Sequence, residues 1–404
     1  MAVAVTLWGA LPALAEPNEP VGRQVHVKQG DLPRPFATES VANGARVVAR
    51  PADAGLNLPP GFVATLFAEG LSGPRWMTVA ENGDVILAES AAGRLRVLAD
   101  RDGDGRAELN QVLIDGLDRP HGLAIQGGYL YVGEPGRIVR FAYRAGDSKG
   151  KPPVEAVTAP GALGDGSGHW TCDIVFQPDG KAFYVSVGSR GNTAEEPLPR
   201  ASVQLFAADG SGQRTFASGL RNAIGIAFHP LTGELYASVN ERDRLGDGLV
   251  PDYLARLVDG GFYGWPYAYL GPNPDPNFGA RRPDLVARTI APDVLFDSHS
   301  APIGMVFYNG QQFPPEYQGD AFIAFQGSWN SAKPTGHKVV RVPFKDGRPT
   351  GVYENFVTGF WFAGRERAVI WGRPAGLAIA KDGSLLIADD AGGTLWRVSY
   401  QQPR

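Results

Sequence analysis

The stretch GPRWMTVAENGDVILAESAAGRLRVL, residues 73–98, decides the fold. It runs from a glycine turn into an apolar strand, through an Asn-Gly turn into a second strand, and through another glycine turn into a third. The same order of turns and strands recurs in five later units, at residues 119–141, 168–192, 220–243, 300–330 and 372–398. The chain is therefore built from six copies of one β-sheet unit.

Each unit alone exposes apolar faces that only a neighbouring sheet can cover, and such repeats close into a ring. The sequence predicts an all-β fold, a six-bladed β-propeller of four-stranded antiparallel blades. The stretch FVATLFA, residues 62–68, precedes the first unit. We expect it to add the outer strand to the last blade and so close the ring.

Composition agrees with a large globular domain. The 404 residues include 53 Gly and 33 Pro, with 20% charged residues and a formal net charge of -4. Because basic and acidic residues are mixed along the chain, the sequence does not indicate the basic surface patch that binds nucleic acid. Cys172 is the single cysteine, which excludes an intrachain disulfide, and its place at the start of a strand favours a core residue over a nucleophile.

Three segments are predicted along the chain. Residues 1–15 end in Ala-Leu-Ala and are typical of an export signal, although a positive residue near Met1 is absent. Residues 16–57 are polar and are expected to lie over the domain as an N-terminal extension, and residues 58–404 form the catalytic propeller. No later segment reaches the roughly 18 apolar residues of a membrane span. We expect a periplasmic or secreted protein without a membrane span, and the sequence carries no prediction of oligomeric state.

Polar residues stand at the entrances of the repeats, where the loops of a propeller converge on the central channel. They are Arg75, His121, His169, Arg221 with Asn222, His299 with Ser300, and Arg373. Each alone could be a turn or capping residue. Their shared position in the repeat favours one ligand site at the channel mouth.

His169 has the side chain best suited to take a proton near neutral pH, and we expect Gly166 and Gly168 to leave room for a ligand beside it. The alternative is a histidine that caps a strand. The planar donor forks of Arg221 and Arg373 match carboxylates and imply an anionic ligand, unless they are ordinary surface residues.

Two acidic stretches suit calcium. Residues 240–253, NERDRLGDGLVPDY, supply Glu241, Asp243, Asp247 and Asp252 on a glycine-containing loop, which could also be an ordinary solvated loop. Residues 100–109, DRDGDGRAEL, space three aspartates like the first half of a calcium loop, but Gln111 stands where a bidentate Glu is expected. This second loop is either a plain hairpin or a structural ion site.

Two overlapping segments lie outside the repeats, and the first of them, residues 260–272, is rich in glycine and aromatic residues. GGFYGWPYAYLGP, residues 260–272, could form a wall for a planar or sugar ligand or pack between blades. The insert at residues 266–298 is expected to help set substrate choice, because irregular loops commonly do so.

Several motifs together resemble the soluble glucose and sorbosone dehydrogenase family, six-bladed propellers that use pyrroloquinoline quinone; the sorbosone branch is most similar. The resemblance runs from Leu58 to Tyr400. The motifs are GHWTCDIVFQPDG, SGLRNAIGIAFHP, NERD with GGFYGWP, HSAPIG, GDAFIAFQGSWN, and GRPAGLAIAKDGSLLIADDAGGTLWRVSY.

The resemblance implies a role for each matching residue. His169 would be the catalytic base that removes the substrate hydroxyl proton while a hydride passes to the quinone, and Arg221 would stabilise the charge developing on the quinone oxygen. Cofactor contacts would come from Arg221, Asn222, His299, Asn330 and Arg373. Calcium would lie at Glu241 and the backbone of Asp243 and Arg244.

Three positions depart from the pattern of the glucose enzymes. Ser189 stands where an Asp orients the base, Asn330 replaces a lysine, and Ala375 replaces the second arginine of a cofactor pair. The base is therefore expected to be held differently, and fewer cations are expected around the cofactor carboxylates.

The leading hypothesis is an exported, calcium-dependent quinoprotein that oxidises an aldose or a related sugar aldehyde. The sequence contains no C-x-x-C-H haem motif, so an external electron acceptor is expected. Two alternatives stay open at this point: a calcium-dependent lactonase-type hydrolase that uses metal-bound water, and a non-catalytic propeller that binds carbohydrate or a protein.

Overall fold

The computed structural model describes residues 19–401, so the predicted export signal at residues 1–15 lies outside the described residues. The regular secondary structure of the described chain is almost entirely β-strand. Its α-helix is Pro283–Ala287, and its short 3₁₀ turns are Gln29–Asp31, Ser90–Ala92, Gly279–Arg281 and Pro315–Tyr317. Between residues 19 and 401 no helix has the length and apolar character needed to cross a membrane.

Six sheets of four or five strands, named sheets 1 to 6 in chain order, account for most of the strands. The strands of each sheet follow in spatial order, so that consecutive strands are hydrogen-bonded to each other. Sheet 1 contains Pro74–Val79, Val85–Glu89, Arg94–Ala99 and Leu109–Ile114; sheet 2 contains Leu123–Gln126, Tyr129–Glu134, Arg137–Ala142 and Lys151–Ala156; sheet 3 contains Ile174–Phe176, Ala182–Val187, Ser202–Ala207, Arg214–Ser218 and the parallel strand Gly261–Phe262; sheet 4 contains Asn222–Phe228, Leu235–Asn240, Pro251–Arg256 and Val294–Ser298; sheet 5 contains Pro302–Phe307, Ala321–Phe325, Lys338–Val342, Tyr353–Val357 and Gln24–Val25; sheet 6 contains Pro374–Ile379, Leu385–Asp389, Thr394–Tyr400 and Phe62–Ala68.

Three smaller sheets complete the described structure. Arg46–Val47 pairs in parallel with Val369–Ile370, which also pairs with Trp361–Ala363. The other two are short hairpins, which join Ala268–Tyr269 to Asn273–Pro274 and Phe344–Lys345 to Arg348–Pro349.

The burial of the second strand in these sheets explains why the repeat can be recognised in the sequence. In sheets 1, 5 and 6 the strands Val85–Glu89, Ala321–Phe325 and Leu385–Asp389 are buried along their whole length. Each is covered on both faces by neighbouring sheets, so its sequence is a continuous apolar run rather than an alternation.

The six sheets pack side by side in chain order. The first strand of each sheet contacts the first strand of the next, and Pro374–Ile379 of sheet 6 returns to contact Pro74–Val79 of sheet 1. The six buried apolar clusters lie between consecutive sheets, including one between sheets 6 and 1. Burial of these faces is the main favourable contribution to stability.

Strands near both ends of the described residues pair with the edges of the sheets. Phe62–Ala68 pairs antiparallel with Thr394–Tyr400, with Phe62 opposite Tyr400, which confirms the predicted outer strand of the last unit. Within the extension, Gln24–Val25 pairs with Tyr353–Val357 at the edge of sheet 5. Cys172 is a buried core thiol, and burial raises the pKa of this thiol.

Candidate functional site

A cavity of ≈ 520 Å³ opens at the entrances of the first strands. Its wall includes residues at the start of the first strand of sheets 1, 3, 4, 5 and 6, among them Arg75, Thr171, Arg221, Ala301 and Arg373. Cavities of this size, with a few convergent polar groups, are typical of small-molecule sites.

Almost all predicted site residues meet in this cavity. Its lining includes His169, Arg221, Asn222, Glu241, Asp243, His299, Asn330 and Arg373. Arg244 does not line it, and its backbone has a φ of 70° beside Asp243. Of the other repeat entrances, Arg75 lines the cavity, whereas His121 and Ser300 do not.

His169 is held by the main chain of Ser189. The His169 Nδ1 lies 2.9 Å from the Ser189 carbonyl oxygen and 3.0 Å from its Oγ. A carbonyl oxygen only accepts, so Nδ1 carries the proton and the lone pair is on Nε2. Burial and the charge of Arg221 lower the pKa of His169 to about 4. The imidazole is therefore neutral at pH 7 and can accept a proton at Nε2.

Three glycines near His169 lie in close contact with the neighbouring protein atoms. A Cβ at Gly168, where φ is 69°, would meet the Arg190 carbonyl oxygen at 2.2 Å, and a Cβ at Gly166 would meet Pro135 at 2.8 Å. Gly166 does not line the cavity, so the expectation that it leaves room for a ligand is wrong. Gly168 does line the cavity, although protein atoms occupy the direction that a Cβ there would take. Gly188 allows the backbone to lie close to the His169 side chain, since a Cβ at this position would lie 2.5 Å from His169 Cβ.

Arg221 is fixed by Asn192 and Asp243. Its Nε donates to the Asn192 carbonyl at 3.1 Å, and its Nη2 lies 3.4 Å from Asp243 Oδ2. Asn192 also accepts a hydrogen bond from the Asp243 N–H at 2.8 Å and donates to the Asp243 carbonyl at 3.0 Å. Asn192, a residue that sequence reasoning missed, therefore orients both the cation and its carboxylate partner.

The Asp243 carboxylate also joins His299 and Asn330. Asn330 Nδ2 donates to Asp243 Oδ1 at 2.8 Å, and His299 Nδ1 lies 3.5 Å from the same oxygen. Burial opposes charge on His299, but the hydrogen bond to Asp243 and the nearby charge of Asp252 outweigh it and raise the pKa of His299. One carboxylate thus organises an arginine, a histidine and an amide in the cavity wall.

Glu241 and Asp252 form a pair of buried carboxyl groups beside this cluster. Burial raises the pKa of Glu241 to about 7 and that of Asp252 to about 6. Asp252 accepts hydrogen bonds from the N–H groups of Glu241 and Ala301, each at 2.8 Å. Glu241 Oε1 is buried without a hydrogen-bond partner among residues 19–401. An orphaned carboxylate oxygen in an acidic, buried setting fits a hard cation such as calcium.

The Asp100 loop differs from this buried pair. Carboxylate oxygens of Asp100, Asp102, Asp104 and Glu108 lie within 4.8 Å of one another, and Asp102, Asp104 and Glu108 are exposed. Glu108 is the fourth carboxylate of this group, whereas the calcium-loop pattern expects a Glu at the position that Gln111 occupies. The loop is already cross-linked internally, since Asp100 accepts from the N–H groups of Gly103 and Gly105.

Arg75 and Arg373 share one carboxylate. Arg75 Nη1 lies 2.5 Å from Asp390 Oδ2, and Arg373 Nε lies 2.6 Å from Asp390 Oδ1. The Gln326 side-chain amide nitrogen, Nε2, donates to Asp390 Oδ2 at 2.9 Å. Ala375 therefore does not leave Arg373 without a second arginine, because Arg75 from sheet 1 stands beside it. Two guanidinium groups on one carboxylate leave excess positive charge in the wall.

Buried polar atoms without partners concentrate in this wall. Among the described residues that line the cavity they are Arg75 Nε, Thr171 Oγ1, Asn222 Oδ1, Glu241 Oε1, His299 Nε2 and both ring nitrogens of His337. Buried polar groups in native proteins are almost always satisfied, so this concentration indicates a polar ligand. The excess arginine charge fits one that carries carboxylates, as pyrroloquinoline quinone does.

Sequence reasoning also missed other parts of the wall. His337 is buried in it, and burial lowers the pKa of its imidazole to about 4. Gly44, Ala45 and Val47 of the N-terminal extension line the cavity, and so does Trp329.

The expectation that the 266–298 insert helps to set substrate choice is not supported by placement, because none of its residues lines the cavity in the described chain. Phe262, Tyr263 and Trp265 of the preceding aromatic stretch are buried and also stand outside the cavity wall. That stretch therefore packs between sheets instead of forming a ligand wall.

Comparison with known proteins agrees with this geometry. The sequence profile of the TrAA12-like family matches residues 56–250 and 284–401, and that of the glucose / sorbosone dehydrogenase family matches residues 204–330. An uncharacterized protein from Borreliella burgdorferi is 32% identical over 221 residues, 54% of this chain and 57% of that protein. A pyrroloquinoline quinone-dependent pyranose dehydrogenase from Coprinopsis cinerea is 24% identical over 346 residues, 71% of this chain and 45% of that protein. The chain thus matches about half the length of these curated relatives.

Solved structures share the fold. The Trichoderma reesei Carbohydrate-Active Enzymes Family AA12 protein superposes with a TM-score of 0.72 at 20% identity, covering 89% of this chain and 100% of that one. The holo pyranose dehydrogenase quinone domain from Coprinopsis cinerea gives 0.71 at 20% identity, covering 88% and 100%. The TrAA12-like profile covers well over half of the 404 residues, and on that match the chain belongs to the TrAA12-like family.

Proposed function

We propose that this protein is a quinoprotein dehydrogenase on a six-bladed β-propeller, which uses pyrroloquinoline quinone and calcium to oxidise an aldose or sugar aldehyde. The ring is supported by the return contact of sheet 6 on sheet 1 and by the six apolar clusters between consecutive sheets. The quinone is supported by the relatives, one of which is a pyrroloquinoline quinone-dependent pyranose dehydrogenase.

One observation carries the proposal: a neutral histidine base and two separate arginine clusters face the same cavity. A hydrolase that works through metal-bound water has no need of three arginines in its wall. An oxidoreductase that must hold a polycarboxylate cofactor and remove a hydroxyl proton needs both features.

His169 acts as the base. Its Nε2 takes the proton of the substrate hydroxyl, while Nδ1 stays bonded to the Ser189 carbonyl and keeps the ring in place. Arg221 has two effects: it lowers the pKa of His169, and its guanidinium is available to negative charge that develops in the cavity.

Arg75, Arg373, Asn222 and Asn330 would hold the quinone through its carboxylates and carbonyls, with Arg221 and His299 completing the contacts. When bound, the quinone supplies the acceptor for the hydride that leaves the sugar carbon. A separate electron acceptor would then take up the electrons.

Calcium would lie against Glu241 and the Asp243 to Arg244 segment. The buried Glu241 and Asp252 carboxyl groups titrate near neutral pH, so a divalent cation would favour their charged forms. We also propose a periplasmic or secreted location, which rests on the sequence of residues 1–15.

Reconstitution tests the proposal. Apoprotein is titrated with pyrroloquinoline quinone in the presence and absence of calcium, and a bound-quinone absorption band is followed. Loaded protein is then given a panel of aldoses and sugar aldehydes with an artificial dye. We expect saturable uptake near one quinone per chain and sugar-dependent dye reduction. Absence of uptake, or hydrolysis of lactones without quinone, contradicts the proposal.

A further inference from the structure

Residues 43–48 of the N-terminal extension, here called the strap, cross the cavity-bearing face of the molecule. The Asn43 side-chain amide donates to three backbone carbonyls, those of Ser331 at 3.0 Å, Ala332 at 3.3 Å and Glu366 at 2.7 Å. The Asn43 N–H donates to the Trp329 carbonyl at 2.7 Å. A single residue thus ties the strap to two loops that come from distant parts of the chain.

Further bonds fix the rest of the strap. The N–H groups of Arg46 and Val48 donate to the carbonyls of Ala368 and Ile370 at 2.8 and 2.9 Å. Arg367 Nε donates to the Gly44 carbonyl at 2.8 Å. These contacts place the strap between the Trp329 loop, next to Asn330, and the segment that leads into Arg373.

The strap contributes its smallest residues to the cavity. Gly44 and Ala45 line the wall together with Val47, whose side chain is exposed like that of Trp329. A Cβ added at Gly44 would meet no atom within 4 Å, and its φ lies outside the left-handed region. A larger side chain at this position would therefore be tolerated by the backbone and would reduce the space in the cavity.

We propose that the strap is a specificity-determining wall, which limits the size of the saccharide that reaches His169. This inference rests on the proposed function. Trp329 is 57% exposed while lining the cavity, and an indole face of this kind suits the apolar face of a pyranose ring. Because Asn43 binds its carbonyl, the strap also positions this platform.

Two strap variants and one control test the inference. Gly44→Trp narrows the cavity, and Asn43→Ala removes the three side-chain hydrogen bonds of Asn43 and loosens the wall, while the backbone bond to the Trp329 carbonyl stays. Gly30→Trp is the matched control, because Gly30 lies in the same extension, meets nothing within 4 Å of an added Cβ and does not line the cavity. The probes are the monosaccharide that wild type oxidises fastest and the disaccharide that carries it at the reducing end.

We expect Gly44→Trp to lower the disaccharide-to-monosaccharide ratio of kcat/KM on the order of tenfold, through KM rather than kcat. Asn43→Ala should raise this ratio, and Gly30→Trp should leave it unchanged. Quinone affinity from the absorption titration should stay within about threefold of wild type in every variant, because the strap does not supply the arginine contacts.

The outcomes separate this inference from the function on which it rests. An unchanged ratio in both strap variants, with intact quinone uptake and monosaccharide oxidation, overturns the strap inference alone. Lost quinone affinity in Gly44→Trp also overturns it, because the strap would then border the cofactor. A wild-type protein that takes up no quinone overturns both proposals.

Discussion

The two arginine clusters of the cavity differ in what surrounds the cation. Arg221 has its own carboxylate partner in Asp243, which also bonds Asn330 and lies beside His299. Arg75 and Arg373 instead divide one carboxylate, Asp390, between them. The first arrangement is nearly balanced in charge and next to a base; the second carries a surplus of positive charge. The first suits proton and charge handling, and the second suits holding an anion.

The largest expected effect is on kcat, and it distinguishes the role of His169 as the base from the role of the arginines in holding the cofactor. We predict that His169→Ala lowers kcat by about 10²- to 10⁴-fold, because the group that takes the hydroxyl proton is gone. Quinone affinity should change little, since the arginines remain. His26→Ala, which removes an exposed histidine of the extension, is the control. Stopped-flow dye reduction and quinone titration measure the two effects; loss of quinone binding in His169→Ala would assign His169 to the cofactor instead.

The second prediction concerns the shared-carboxylate cluster. Arg373→Ala and Arg75→Gln should each weaken quinone binding by roughly 10- to 100-fold, as expected when a charge-assisted hydrogen bond is lost. The double variant should be non-additive, because both residues bond Asp390. Arg214→Ala, which breaks an exposed pair with Asp259, is the matched control. Unchanged affinity in both single variants would remove this cluster from the cofactor site.

The third prediction uses the pKa of His169, which lies at about 4. The base works only when neutral, so kcat/KM of the wild type at saturating calcium, which keeps Glu241 and Asp252 charged, should fall only as pH drops through about 4 and should be flat from about pH 5.5 to 7. Arg221→Gln removes a charge that lowers this pKa, so the acid limb should move to higher pH. An acid limb near the ordinary histidine value of about 6.5 in wild type would contradict the geometry.

The smallest effect is expected at Ser189. Ser189→Ala removes the Oγ contact but leaves the carbonyl that accepts from His169 Nδ1. We predict a loss in kcat of less than about tenfold, with the acid limb unmoved, because the tautomer is still fixed. A loss as large as that of His169→Ala would show that the hydroxyl orients the base.

The sheets could be predicted because each one is encoded by a short, continuous order of turns and strands. The turn and strand order of residues 73–98 recurs in each sheet, and even the outer strand Phe62–Ala68 was correctly assigned to the last sheet. His169, Arg221 and Arg373 were found because equivalent repeat positions point to one place.

The hydrogen-bond partners of the site residues could not be predicted from the sequence, because they depend on which loops come together in the fold. Asp390 bonds Arg75, 315 residues away, and the Asn43 amide bonds Glu366 across 323 residues. No spacing rule links such positions. The same limit made the 266–298 insert look functional, while the polar extension that does reach the cavity carried no periodic signal. The Ser189 departure was visible in sequence, but its compensation by a main-chain carbonyl was not.

Quinone titration of the apoprotein, with His169→Ala and Arg373→Ala measured beside wild type, tests the division between the two clusters most directly. We predict saturable uptake by wild type and His169→Ala with similar affinity, weaker uptake by Arg373→Ala, and sugar-dependent dye reduction by wild type far above that of His169→Ala. Uptake by none of the three proteins, or uptake that depends on His169 and not on Arg373, would contradict the assignment.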